Sequence, residues 1–299
     1  MSNVHPPSET KKQVRGSSLM LLGRVISISI NFLVQILIVR YLAKEGYGAF
    51  AYGYSIAALA ARMTPLGTDK AANRFIPIYH EHNEVGRVKG SLFVAFSTIV
   101  VVGILLVGLV LALRGTLSET VVSDPLSVSV LAIIISLAPL LALESLLEKL
   151  LAIFGRVKAL FFRRYVLTPI LRLAAVVSLM VYGGDAYFLA GAYVVATAVG
   201  VLISLHLLWR ILREENLLTQ LQHVKNDRLT KKWFGFGIPL LSSDVVFGLR
   251  TSLVVVLLEM FHGTVGVASF RAILPIANLN KVVYDSFRLL YVPTAARMF

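Results

Sequence analysis

Eight Arg and Lys residues stand inside apolar stretches of this chain long enough to cross a bilayer: Arg24, Arg40, Arg62, Arg172, Arg250, Arg271, Lys281 and Arg288. Only Glu144, Asp244 and Asp285 accompany them as acids. A cation at bilayer depth costs roughly 3 kcal/mol or more unless it faces a partner or a water-filled cavity. So many on one chain point to a wet, positively charged lumen, and a cationic lumen suits an anionic cargo. Guanidinium forks are well matched to phosphate oxygens.

Spacing tells which of these groups share a face. Ser17, Arg24, Ser27, Asn31 and Gln35 recur at helical intervals and form one polar stripe. Ser, Asn and Gln alone would be explained by hydrogen bonds between helices, each worth about 0.6 kcal/mol. Arg24 on the same stripe turns the reading towards cavity lining. Arg271, Asn278, Lys281, Asp285 and Arg288 follow the same rule. There Asp285 can pair with Lys281 and Arg288 and still leave the face positive. Arg172 is mid-stretch, one turn after Pro169, which should loosen the helix. Arg250 is also central. Asp244 lies on another face of that helix, placed to pair elsewhere. For Arg62 and Arg40, near stretch ends, the competing role is an interfacial anchor, and for Arg40 the anchor is preferred. Glu144 is either an ion relay or the charge partner of an arginine on a neighbouring helix. The expected site is therefore a cationic lumen of Arg24, Arg62, Arg172, Arg250, Arg271, Lys281 and Arg288. Asn31, Gln35 and Asn278 add polar contacts, and Glu144, Asp244 and Asp285 act as relays or partners.

Eight helical spans of about 20 residues would position these groups. They are expected at 17–41, 47–66, 90–113, 127–147, 161–182, 187–209, 233–258 and 264–293. The composition demands such a fold: 57% of residues are hydrophobic and 15% charged, against about 25% charged in a soluble domain. The formal net charge of +13 sits mostly in the connections between spans. That distribution fits membrane topology better than nucleic-acid binding. Eighteen Lys and Arg fall on the N-terminal segment, the longer connections and one span edge, and two, Lys44 and Arg114, on the short ones. This bias predicts a cytoplasmic N-terminus in the cell (inner or plasma) membrane.

Residues 68–89 and 210–232 carry apolar residues at helical spacing between charges and fit helices on the inner interface or plain solvated connectors. Ala192, Ala196 and Gly200 form a close-packing face. Gly235 and Gly237 read as a flexible start to the seventh span. Gly48–Ile56 aligns with Gly266–Leu274 at an offset of 218 residues, a weak repeat implying two halves related by an axis along the membrane normal. Catalytic signatures are absent. There is no phosphate-binding glycine loop, no cysteine and no acid-rich metal motif, and the His80-x-His82 pair lacks a third ligand. No cofactor, metal or enzymatic activity is expected.

Arg15-Gly-Ser-Ser with Gly23-Arg24, then Arg40-Tyr-Leu-Ala-Lys-Glu-Gly-Tyr-Gly-Ala-Phe50, resembles the start of polysaccharide transporters. So do Gly67-Thr-Asp-Lys-Ala-Ala-Asn-Arg-Phe-Ile-Pro-Ile-Tyr79 and Phe236-Gly-Ile-Pro-Leu-Leu-Ser-Ser243. This is the O-antigen and exopolysaccharide flippase branch of the multidrug/oligosaccharidyl-lipid/polysaccharide exporter superfamily. The resemblance implies an all-α, polytopic bundle built as a V of two six-helix lobes. It implies export of a polyprenyl-pyrophosphate-linked oligosaccharide by alternating access. The implied partners are that anionic lipid-linked glycan, membrane lipids, and the polysaccharide polymerase and glycosyltransferases that work beside it. Family members have twelve or more spans. The expected layout is a tail at 1–16, a first lobe at 17–209, a linker at 210–232 and the first two helices of a second lobe at 233–299. The chain thus reads as a fragment, as a truncated and inactive product, or, less favoured, as a short chain that assembles with others into a full pore. A cation-coupled exporter of organic cations, which needs lumenal carboxylates, and a membrane enzyme acting on prenyl phosphates, which needs a metal-binding acid pair, are the competing readings.

Overall fold

The computed structural model describes residues 7–115, 124–215 and 230–277. Among them every regular element is helical. In chain order these are α1 (Pro7–Tyr41), α2 (Lys44–Met63), α3 (Thr68–Glu81), α4 (Val85–Ala112), α5 (Pro125–Ile134), α6 (Leu137–Ile153) and α7 (Val157–Phe161). A π-helical turn (Phe162–Leu167) follows, then α8 (Thr168–Tyr182), α9 (Ala186–Glu214) and α10 (Thr230–Ala277). Of these, five helices are long and apolar enough to cross a membrane, or six if α5 and α6, bent by 41° at their junction, form one span.

That set rests on length and composition, omits α2 and counts α10 once, over Ser252–Ala277, where eight spans were expected. Helix α2 is packed inside the protein, against α10, α5 and α6. Its Gly, Ala and Tyr residues are chosen for close contact and not for contact with lipid. Helices facing hydrocarbon look different: Ile104 and Leu105 of α4 are 67% and 66% exposed, apolar surface that a bilayer would solvate.

Proline and glycine set the breaks. Pro139 has no N–H for Ile135 and its ring crowds that carbonyl, so the fourth expected span bends between α5 and α6. Pro169 does the same to Tyr165, and the preceding turn widens into the π form. Asp124 and Asp185 cap α5 and α9, accepting from Leu126 N at 3.0 Å and from Tyr187 N and Phe188 N at 3.1 and 3.0 Å.

Helix α10 is two arms joined at Gly263, whose φ of 63° and ψ of −170° only glycine adopts freely. Ser55 of α2 touches both arms. Its carbonyl accepts from Ser252 Oγ at 3.2 Å, and its hydroxyl accepts from Arg271 Nη2. The chain therefore reverses at Gly263, and α2 lies along the seam. The second arm runs parallel to α2, with Gly48 against Thr264 and Ser55 against Arg271.

Two apolar cores result. One gathers α2, α5, α8 and α9. The other joins α3, α4, α6 and the start of α10. The apolar face of helix α3 turns to protein: Ala71, Ala72, Phe75, Ile76 and Tyr79 are buried against it, and Lys149 of α6 pairs with Asp69. Gly237 is no flexible joint either. A Cβ there would come within 2.7 Å of the Gly67 carbonyl oxygen, so the glycine admits a close backbone crossing. Gly200 likewise brings α9 onto Leu171 of α8. The central part of the 210–232 connection, residues 216–229, lies outside the described residues.

Candidate functional site

The polar stripe of α1 lines two hollows that share Ile28, Asn31 and Arg172. The larger, about 660 Å³, lies at the Gln35 end and is walled by α1, α2, α8, α9 and the second arm of α10. The smaller, about 380 Å³, lies at the Arg24 end between α1, α6 and the π turn. The two adjoining hollows are taken together as the passage, with Ile28, Asn31 and Arg172 on the wall they share.

The larger hollow holds Arg172 and Arg271 and, among the described residues, no acid. Arg172 Nη2 reaches Tyr54 Oη at 3.4 Å. Arg271 donates through Nη2 to Ser55, while its Nε is buried without a partner. A buried donor left unmade costs about 1–3 kcal/mol, and an anion in this hollow would relieve it. Gln35 Nε2 donates to Tyr47 Oη, and Asn31 Nδ2 bonds back to Ser27 O at 2.7 Å. Phe50 meets Tyr193 edge-on, with ring centroids 5.0 Å apart, and Tyr54 closes the cluster at 6.2 Å from both. Aromatic faces beside hydroxyls and amides offer stacking and hydrogen bonds to a sugar ring.

The smaller hollow presents Arg24, Arg164 and Arg172 with Glu144 and Glu148. Glu144, on the wall of this hollow, is already engaged. It pairs with Arg163 Nη2 at 2.7 Å and accepts from Thr168 Oγ at 3.1 Å. Arg163, only 1% exposed, also donates to Ser204 and Thr168. Sequence reasoning anticipated pairing with an arginine on a neighbouring helix, and the π turn supplies it.

Three expected lumen residues, Arg24, Arg172 and Arg271, thus meet on one passage with Asn31 and Gln35. Two do not. Arg250 is exposed and lines neither hollow. Gly248 and Ser252 of the same arm face α2, and a residue midway between positions four apart points to the other side. Arg62 turns to the α10 seam instead, its guanidinium 4.9 Å over the Phe247 ring. Asp244 pairs across helices with Lys70 at 2.9 Å. Asn278, Lys281, Asp285 and Arg288 lie outside the described residues.

A family model for polysaccharide biosynthesis proteins matches residues 13–299. The chain belongs to this family. No curated protein and no solved structure gives a match. As a member of the polysaccharide biosynthesis family the chain is a multi-pass membrane protein, in keeping with its apolar helices.

Tyr47, Phe50, Tyr54 and Tyr193 are the site residues that the charge argument missed, as are Arg164 and Glu148. A signal was present for the first three, whose spacing of three and four puts them on one face of α2. Arg163 was counted as a topology-setting charge. Two adjacent arginines on a helix cannot face the same side, and that was the available hint.

Proposed function

We propose that this member of the family moves a polyprenyl-pyrophosphate-linked oligosaccharide across the cell membrane, from inner to outer leaflet, by alternating access. The reading rests on one observation above all: Arg172 and Arg271 share a 660 Å³ hollow without an acid among its described lining residues, and the Arg271 Nε there has no partner. A pyrophosphate would supply that partner and bridge the two guanidiniums. The aromatic cluster of Phe50, Tyr54 and Tyr193 would hold the first sugars, while Arg24 and Arg164 would draw the anion into the smaller hollow. The protein acts here as a transporter and not as an enzyme, with its N-terminus on the cytoplasmic side and the glycan-assembling enzymes as neighbours.

Reconstitution tests this directly. Arg172→Ala and Arg271→Ala each remove a charge-assisted hydrogen bond worth about 1.5–3 kcal/mol, so translocation of a lipid-linked glycan in proteoliposomes should fall at least tenfold. Undiminished translocation in both variants would reject the charge reading. Glu148 on the smaller hollow favours a second reading, cation-coupled export of an organic cation. In that case Glu148→Gln abolishes transport and the Arg172 and Arg271 variants do not.

A further inference from the structure

At the α3–α10 junction a second cationic cluster lies away from the passage. Most cations around it are matched by acids. Lys70 pairs with Asp244, Lys149 with Asp69, and Arg87 with Glu84 at 2.6 Å. Arg74 and Lys232 differ. Among the described residues neither has a carboxylate within 4 Å, and both are exposed. Aromatic faces hold them instead. The Arg74 guanidinium lies 4.7 Å over Phe236 and 5.8 Å over Phe75. The Lys232 ammonium lies 4.9 Å over the same Phe75 and 5.8 Å over Tyr79. Two like charges are gathered round one ring, an arrangement that repels itself until an anion neutralises it. Beneath them Tyr79 Oη and Trp233 Nε1 are buried and unpartnered.

We propose that this junction binds the phosphate of an anionic lipid headgroup. Arg74 and Lys232 grip the phosphate above the rings of Phe75, Tyr79 and Phe236, the pairing of cations with aromatic side chains that suits a headgroup layer. Arg74 belongs to α3 and Lys232 to α10, so one bound lipid ties the two elements together across their seam. The site is separate from the passage, and its occupancy does not depend on what the passage carries.

The chain has two tryptophans, and Trp233 packs against Phe75, so a Trp209→Phe background gives a single reporter at the junction. The full chain in phosphatidylcholine nanodiscs would be titrated with phosphatidylglycerol while Trp233 fluorescence is followed. A saturable change is expected. Each lost cation weakens binding about fivefold, the factor that goes with one Lys or Arg near an anionic surface. Arg74→Gln with Lys232→Gln should therefore shift the midpoint about 25-fold. The charge-keeping pair R74K with K232R should stay near the parent, which separates loss of charge from loss of fold. An unshifted midpoint in the Gln pair overturns the proposal, as does an equal response to added phosphatidylcholine. Inorganic phosphate at the same concentrations should leave the signal unchanged. An equal response to it would overturn the lipid assignment and leave a soluble phosphate as the ligand.

Discussion

Replacing Glu144 by Leu should leave Arg163 as a buried cation without its ion-pair partner, with Glu148 as a remaining acid that still acts on it. Arg163 is 1% exposed and Glu144 12%, and the pair is 2.7 Å apart. The hydroxyls around Arg163 would not suffer. Ser204 also donates to Gly200 O at 2.7 Å, and Thr168 can donate to Arg163 O at 3.1 Å. The loss therefore falls on the charge, and breaking a buried pair in this way costs about 3–5 kcal/mol. Arg163→Met leaves the opposite orphan. Glu144 borders the smaller hollow and keeps access to water, so that variant should lose less, about 1–3 kcal/mol. The double variant E144L/R163M removes both charges and should return to within about 1 kcal/mol of the parent, because apolar replacement of a whole buried pair is near neutral. Thermal unfolding of the purified protein in detergent would give the cycle, with transport in proteoliposomes measured alongside. The reasoning fails if Glu144→Leu costs under 1 kcal/mol, or if the double variant is as unstable as the two losses added together. A folded double variant that still transports assigns Glu144 to structure. One that folds and does not transport makes it a relay.

Other expectations concern shape and burial. Gly67→Ala should destabilise well beyond Gly155→Ala. Both sit at positive φ, 76° and 65°, but only at Gly67 would the Cβ meet a backbone oxygen, that of Gly237 at 2.1 Å. The Gly155 change should cost about 1 kcal/mol from backbone strain alone, and equal melting temperatures for the two would refute the packing argument. Tyr193→Phe should leave folding unchanged, keeping the edge contact with Phe50, while Tyr193→Ala weakens glycan binding. Calorimetry with a soluble fragment of the glycan compares them, and identical binding by Tyr193→Ala would remove the ring from the sugar subsite. Glu259 is fully buried beside the Ser127 hydroxyl, with no ion pair to a cation among the described residues. Glu259→Gln should hold or raise the melting temperature, since a neutral amide is cheaper to bury than a charge. A drop of several degrees would show an ionised, engaged carboxylate.

The sequence made α1 legible because its stripe repeats over several turns, and a long regular pattern leaves one face available. Arg172 was legible for a related reason: its place mid-span admits few alternatives. Arg250 has the same depth but the other orientation, and nothing in its own helix reveals that Gly248 and Ser252 are the positions α2 selects. The all-helical bundle followed from hydropathy. The burial of α2 and of the apolar face of α3 did not, since a helix that packs its apolar face on protein and one resting on a membrane surface carry similar mixtures of Ala, Tyr and charge. Arg163 was hidden by local geometry. A π turn alters the direction of each side chain in it, and sequence spacing assumes regular α turns.

Ser55 joins α2 to both arms of the Gly263 hairpin through its carbonyl and its hydroxyl. Any displacement that parts Ser252 from α2 strains the grip on Arg271 as well. Were that grip released, Arg271 would return a second unmet donor to the larger hollow, raising its appetite for anions as the wall shifts. Mechanical opening and electrostatic attraction would then rise together, governed by a single small residue.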